Sequence, residues 1–446
     1  MKFSRICAGP FVCLACIVSP LAGQQPPPAE ASKGVLPVPD YSGDFWRRSH
    51  LTGDWGGTRT DLANKGIQLE ANWMQVVQGV VDGGRDDSTA YGGNLEYLIR
   101  LDLMRMNLVP GGLVLIRGES RYGDTVNFEA GPLLPVNTAG YFPLTDDIDQ
   151  DIAITVTNLK YVQFFSEQFG VFGGKIDTLD SDLNEFASGR GKSQFMNAQF
   201  VFNSVVALRL PYSTLGAGFL VMPTENLRVT AVVMNTLDSS TTTGFDDFGD
   251  GVTATLEANY QYRLGSLPGG VGLGGLYSFD QDFAQIGGGP GFPPPGGPAL
   301  TTADSTPGSG GGGWPGPCVG APAPKPRAIT DGVQDLQGVG VFARLGFADE
   351  DTNPIEWTVS GGIAGRGLIP TRDNDTFGIG YYYNSIQETR IGGFLGLDDH
   401  AQGFEAYYNI ALTPAADLTF DIQATDDIFP NTDTAIILGA RLNLRF

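Results

Sequence analysis

The chain has 446 residues, 41% of them hydrophobic, and its length fits either two or three soluble domains or one large β-barrel. Its 49 acidic and 27 basic residues give a formal net charge of −22, which argues against nucleic acid as a partner because the phosphate backbone would be repelled. The only histidines, His50 and His400, lie in polar contexts unsuited to a metal site or a Ser-His-Asp triad. We therefore expect no cofactor and no enzymatic activity.

The N-terminus has the pattern of an export signal. Lys2 and Arg5 precede an apolar stretch at 6–18 and small residues at 20–23, so residues 1–23 are predicted to be a cleaved signal peptide. Three of the four cysteines lie inside it, which leaves only Cys318 and no internal disulfide. Residues 24–66 are predicted to form a periplasmic N-terminal segment with one short helix, capped by Thr60 and ended by Gly66.

From Ile67 to the C-terminus, apolar and polar residues alternate in segments of about nine to fourteen residues. Soluble β-sandwiches also alternate, but their strands usually run about five or six residues. Longer strands with aromatic residues near the ends of the apolar face are typical of a transmembrane β-barrel. Candidate strands lie at about 67–80, 94–107, 112–122, 152–165, 169–177, 201–210, 227–236, 252–264, 270–279, 338–347, 355–366, 376–384, 402–412, 417–425 and 435–446.

An even strand number is needed if both ends of a closed antiparallel barrel lie on one side of the membrane. A weak strand at 328–336 brings the prediction to sixteen, and 212–223 is a rival strand. Short turns alternate with long polar segments, which predicts short periplasmic turns and long external loops. Residues 286–326 are rich in Gly and Pro and are predicted to form a flexible external loop. The long polar segments lie at about 123–151, 178–200, 237–251 and 280–326.

Four stretches of the sequence are "LTGDWGGTRTDLANKGI" (51–67), "GVGVFARLG" (338–346), "SGGIAGRGLIPTRDNDTFGIGYYYNSI" (360–386) and "YYNIALTPAADLTFDIQ" (407–423). These motifs resemble the OprB-type carbohydrate-selective porins of bacterial outer membranes. They occur in the order found in that family and are followed by a terminal aromatic strand. The resemblance implies a sixteen-stranded barrel in the outer membrane of a Gram-negative bacterium that lets small sugars diffuse passively. It also implies outer-membrane lipids, lipopolysaccharide and the barrel assembly machinery as partners, and a homotrimer.

A diffusion pore needs polar groups along its wall rather than a nucleophile. Strand alternation places a set of charged residues on the inner face, which makes them candidates for lining the pore. Lys175 and Asp177 are further candidates at the rim, while Trp55 and Arg59 are predicted to pack at the periplasmic mouth. The pore-lining candidates are Glu70, Glu96, Arg100, Asp102, Arg117, Glu119, Arg121, Glu257, Arg263, Arg344, Glu405 and Arg441.

Other interpretations fit parts of this pattern. The net charge suggests a general or cation-preferring porin instead of a sugar-selective one. An outer-membrane enzyme or an adhesin using the 286–326 loop is a weaker alternative. The segment 123–151 has three interpretations: a solvated outer loop, a divalent-cation site between lipopolysaccharides, or a constriction loop that folds into the pore.

Overall fold

The computed structural model describes residues 34–145, 150–181, 184, 186–248, 250–264, 267–279, 312–313, 318–320, 338–349, 353–387, 398–427, 429 and 432–446. Within these ranges the chain forms one antiparallel sheet of long strands. The strands are β1 (Ile67–Asp82), β2 (Ser88–Asp102), β3 (Gly112–Gly123), β4 (Ile152–Phe164), β5 (Phe169–Asp177), β6 (Ser213–Thr224), β7 (Leu227–Asn235), β8 (Val252–Leu264), β9 (Leu267–Phe279), β10 (Gly312–Gly313), β11 (Cys318–Gly320), β12 (Gly338–Phe347), β13 (Ile355–Arg366), β14 (Thr376–Ile386), β15 (His400–Thr413), β16 (Ala416–Thr425) and β17 (Ala435–Arg445).

The sheet closes into a barrel because its first and last strands pair with each other. Asn72 of β1 lies opposite Arg445 of β17, and the pairing continues to Val80 opposite Ile437. Fifteen strands are long, and the short β10 and β11 together fill one further position. β11 pairs with both β9 and β12, so it bridges the gap between them. The predicted transmembrane antiparallel β-barrel is therefore confirmed.

The structure differs from the sequence prediction at one strand, and another predicted strand lies outside the described residues. The predicted strand at 201–210 is wrong, because this region contains α4 (Ala198–Val201) and α5 (Ser204–Ala207). The rival strand predicted at 212–223 is present as β6. The side chains of Asn197 and Asn203 accept hydrogen bonds from Gln199 and Val205 N–H groups at the start of these helices. The predicted weak strand at 328–336 lies outside the described residues.

The barrel exposes apolar side chains and buries charged ones, the reverse of a soluble protein. Leu256 of β8 is 57% exposed and Ile379 of β14 is 58% exposed, whereas Glu405 and Arg441 are fully buried on the inner face. Aromatic and aliphatic residues cover the outer face of neighbouring strands in the same way, as a lipid-facing surface requires. In the described part of the chain, no helix is long and apolar enough to cross a membrane.

The described residues before β1 contain α1 (Thr58–Asn64), which begins two residues before the predicted cap. Gly56 and Gly57 turn the chain into this helix with φ angles of +70° and +97°. The Asp54 carboxylate accepts hydrogen bonds from the N–H and hydroxyl of Thr60 at 2.8 and 2.7 Å. Gly66, with φ +95°, follows the helix and leads into β1. Two further short helices, α2 (Asn127–Ala130) and α3 (Thr138–Tyr141), lie between β3 and β4.

The two faces of β8 give a direct test of this orientation. Replacing outward-facing Leu256 with Arg should lower the free energy of unfolding in phospholipid vesicles by about 2–4 kcal/mol, because lipid cannot solvate the guanidinium. The control is Thr255→Arg, whose side chain points into the barrel. Urea titration of folding in vesicles measures both, and equal destabilisation would contradict the assignment of the faces.

Candidate pore constriction

Two long loops fold into the barrel and contact each other there. They are the described parts of 124–151 and 178–212, which we call together the inward body. The N–H and hydroxyl of Thr138 both donate to the carbonyl of Met196, at 2.9 and 2.7 Å. The rings of Phe142 and Tyr212 stack with centroids 4.6 Å apart. The two loops therefore form a single packed unit, and the constriction-loop interpretation of 123–151 agrees with this placement.

Apolar side chains of the inward body pack on the inner wall. Phe195 and Phe200 are fully buried, with ring centroids 4.9 Å from Tyr407 and 5.8 Å from Tyr382 respectively. Glycines of β14 make room for them. A Cβ atom on Gly378 would lie 2.8 Å from the Phe195 ring, and one on Gly380 would lie 2.6 Å from the Phe200 ring. The inner wall here needs glycine because two aromatic rings occupy the space of its side chains.

Charged residues of the wall bind the backbone of the same loop. The Glu405 carboxylate accepts hydrogen bonds from the Met196 and Asn197 N–H groups at 2.6 and 2.9 Å. Arg441 donates to the carbonyls of Gly191 and Gln194, both at 2.7 Å. The bonds from Arg441 are charge-assisted and therefore stronger than neutral ones, and both of these predicted pore residues hold the loop backbone in place.

Two further arginines act in the same way. Arg344 of β12 donates to the carbonyls of Ala187 and Phe200. Arg121 of β3 holds the other loop through the carbonyls of Tyr141 and Pro143, at 2.6 and 2.9 Å. Both arginines are almost fully buried, so they bind protein rather than line an open passage.

On the other side of the inward body, a network of ion pairs joins it to the wall. Arg117 of β3 contacts Glu96 at 3.0 Å and Asp180 at 2.9 Å. Arg190, from the loop, contacts Asp177 at 2.8 Å and donates to the Tyr212 hydroxyl. Positive and negative side chains from both the wall and the loop therefore contact one another within one network.

Glu119 is a densely contacted carboxylate of this network. It accepts hydrogen bonds from the hydroxyls of Tyr212 and Thr157 at 2.6 and 2.7 Å. Lys192 lies 3.4 Å from Glu119 and 3.2 Å from Glu96. With only 1% of its surface exposed, Glu119 anchors the loop and has little contact with the lumen.

Three other charged residues lie on the same inner face of the wall as this network. Arg100 and Glu70 form a pair at 2.6 Å whose side chains are 30% and 18% exposed. Lys160 of β4 is close enough to Asp180 for their charges to interact. We call the whole set the charged belt, and it contains five carboxylates and five cations. Its members are Glu70, Glu96, Arg100, Arg117, Glu119, Lys160, Asp177, Asp180, Arg190 and Lys192.

Asp180 and Arg190, both from the loop, carry opposite charges. Burial opposes ionisation of Asp180, but the nearby Arg117, followed by Arg190, holds the pKa of this carboxyl below its usual range. Burial also opposes the charge on Arg190, yet the surrounding carboxylates, Asp177 first, raise the pKa of its guanidinium well above the usual value. The two groups therefore attract each other as an ionised pair.

The remaining predicted pore residues lie away from the inward body. Asp102, at the end of β2, accepts a hydrogen bond from the Leu36 N–H at 2.9 Å. Glu257 of β8 accepts one from the Asn259 amide at 2.8 Å. Arg263, further along β8, is exposed. That these residues line the pore stays a prediction.

Residues contributed by the loop were missed by strand alternation. Asp180, Arg190, Lys192 and Tyr212 belong to no strand, so their orientation has no periodic signal. One local signal was present: the sequence Gly189-Arg190-Gly191-Lys192 places two cations in an otherwise acidic chain. Arg190 has φ +57° between two glycines, an irregular turn that aims its side chain at the wall.

A closed antiparallel barrel with an apolar outer surface and loops folded into its interior is the architecture of an outer-membrane porin, a channel rather than an enzyme. The chain belongs to the OprB family of carbohydrate-selective porins, whose family model matches residues 86–446. It is also similar to Porin B of Pseudomonas aeruginosa, with 23% identity over 449 residues, covering 89% of this chain and 91% of the relative. These findings place it in the outer membrane of Gram-negative bacteria.

Solved structures show the same fold. The high-pH structure of Pseudomonas putida OprB has a TM-score of 0.74 and 20% identity, and the match covers 91% of this chain and all of that one. The low-pH structure of the same protein gives a TM-score of 0.55 at 16% identity, covering 90% of this chain and 99% of the other.

Glu405 offers a test of how the inward body is held. Glu405→Gln replaces one carboxylate oxygen with an NH₂ group that faces a backbone N–H, so the loop should be destabilised locally by about 1–3 kcal/mol. Hydrogen–deuterium exchange at Met196 and Asn197 should then accelerate, while exchange in β7 and β8 stays unchanged. Glu356→Gln, at an exposed position on β13, is the matched control. Equal exchange in the two variants would contradict this role for Glu405.

Proposed function

We propose that small neutral sugars diffuse through the space between the inward body and the β1–β5 side of the wall. The charged belt lies along this side and gives the passage its polar surface. The observation that carries the proposal is the balance of the belt, five carboxylates against five cations. A balanced wall neither concentrates nor repels an ion of one sign, so it offers hydrogen bonds without strong ionic selection.

Belt geometry also suits a solute covered with hydroxyl groups. A sugar hydroxyl both donates and accepts, and neighbouring carboxylates and guanidinium groups supply the complementary partners. Asp180 and Arg100 carry the largest exposed fractions among the ion-paired belt side chains, 29% and 30%. We therefore assign these two residues as the first solute contacts within the belt, and the more buried Glu96, Glu119 and Asp177 as supports.

The balanced belt also weighs against a cation-preferring porin. The net charge of −22 describes the whole chain, including long loops such as 236–251, which contains Asp246, Asp247 and Asp250. Charges outside the passage are screened within about 8 Å at physiological ionic strength, so they contribute less to selection than charges on the wall. The ion selectivity of the open channel decides between the two functions.

Planar-bilayer recording in a potassium chloride gradient measures this property. Wild type should show a potassium-to-chloride permeability ratio close to one, and a panel of sugars should reduce the current in a saturable manner. Asp180→Asn should shift the ratio toward chloride and Arg100→Gln toward potassium. We expect each shift to be about fivefold, equivalent to the ~1 kcal/mol of a unit charge at ~4 Å in water.

Asp246→Asn, which removes a charge from the 236–251 loop, should leave the ratio unchanged. A strong potassium preference in wild type would support the cation-preferring alternative. Current that no sugar reduces would show that the belt does not bind sugars.

Two parts of the proposal concern assembly. We propose a homotrimer, as the resemblance to porins implies, and light scattering of the purified protein in detergent micelles measures its mass.

Recognition of the terminal strand by the barrel assembly machinery, with cleavage of the signal peptide near residue 23, also stays a prediction. N-terminal sequencing of protein from isolated outer membranes tests the cleavage.

A further inference from the structure

Residues 34–66, which we call the N-terminal strap, contact three neighbouring strands at the seam where the barrel closes. At β2, the Leu36 N–H donates to Asp102 at 2.9 Å. At β1, the Gln68 side chain donates to the Pro37 carbonyl at 2.7 Å. At β17, the Leu51 N–H donates to the Arg445 carbonyl at 2.7 Å. The strap thus crosses the junction between the first and last strands.

One side chain of the strap binds both sides of the seam at once. The Nη2 atom of Arg59 donates to the carbonyl of Leu69 on β1 at 2.5 Å and to the carbonyl of Phe446, just beyond β17, at 2.9 Å. Phe446 itself pairs with Ala71 of β1 through N–H···O bonds of 2.7 and 3.1 Å. The two acceptors of Arg59 lie side by side only when β1 and β17 are paired.

Aromatic residues hold the Arg59 guanidinium in this position. It lies 4.2 Å from the centre of the Tyr41 ring and 5.1 Å from that of Trp55. Arg59 is only 2% exposed and Tyr41 is fully buried. His50 packs edge-on against Tyr41, and burial together with the charge of Arg59 lowers the pKa of His50 to about 4. At neutral pH this histidine adds no second positive charge beside Arg59.

The seam is where a closed barrel most needs such support. Its pairing joins residues almost a whole chain length apart, so closing it costs more chain entropy than forming any hairpin. We propose that the N-terminal strap is a seam lock, in which Arg59 recognises the paired ends of β1 and β17 and keeps the closed barrel from opening there.

Hydrogen–deuterium exchange of the full-length mature protein in detergent micelles tests the lock. In Arg59→Gln, exchange in 67–72 and 441–446 should rise by about tenfold or more, the effect of losing one charge-assisted hydrogen bond. Exchange in β7 and β8 should not change. Arg47→Gln is the matched control, since Arg47 lies in the same strap with its side chain 86% exposed and only a 3.9 Å contact to Asp44.

Three results would overturn the proposal. One is equal seam exchange in the Arg59→Gln and Arg47→Gln variants. Another is a uniform rise in every strand, which would mean that Arg59 only contributes to general stability. If Arg59→Gln does not fold, hydrogen–deuterium exchange of the wild-type protein still tests the proposal. The lock predicts slower exchange at the Ala71–Phe446 pair than at the Leu227–Tyr260 pair of β7 and β8, and equal or faster exchange would refute it.

Discussion

In a closed barrel the strands use their backbone donors and acceptors on one another, so a loop inside the barrel has to be held by side chains. This constraint explains why inward-facing positions of the wall carry charged residues that never reach open solvent. Arg344 and Arg441 supply donors for loop carbonyls, and Glu405 supplies an acceptor for two adjacent loop amides. Without these side chains, the buried N–H and C=O groups of the loop would have no partners to replace the water that they bind in the unfolded chain.

The same constraint divides the inner wall into two parts with different chemistry. On β12–β17, glycines and aromatic residues accept the loop rings, while Arg344, Glu405 and Arg441 bind loop backbone. On β1–β5, charges from wall and loop pair with one another and leave some side-chain surface exposed. The β12–β17 part is therefore packed like a protein interior, whereas the β1–β5 part keeps the polar surface that a hydrated passage requires.

Strand alternation predicted the barrel and the inward direction of the charged residues, because a two-residue period depends only on the local sequence. It failed at 201–210, where alternation over a short stretch does not distinguish a strand from two helical turns capped by Asn197 and Asn203. It also did not predict what the inward residues touch. Arg441 binds Gly191, 250 positions earlier, and such a contact has no local signature. The loop side of the belt was missed for the same reason.

Because wall and loop share the belt, stability and selectivity overlap in some residues and separate in others. Glu119 and Arg190 join the loop to the wall through several buried contacts, so changing either one alters the position of the loop as well as the charge of the passage. Asp180 and Arg100 have more exposed side chains, so a solute in the proposed passage would meet them before the buried belt residues. If sugars take the proposed passage, substitutions at the exposed belt positions would alter selectivity with less effect on the loop than substitutions at the buried positions, which the fold constrains.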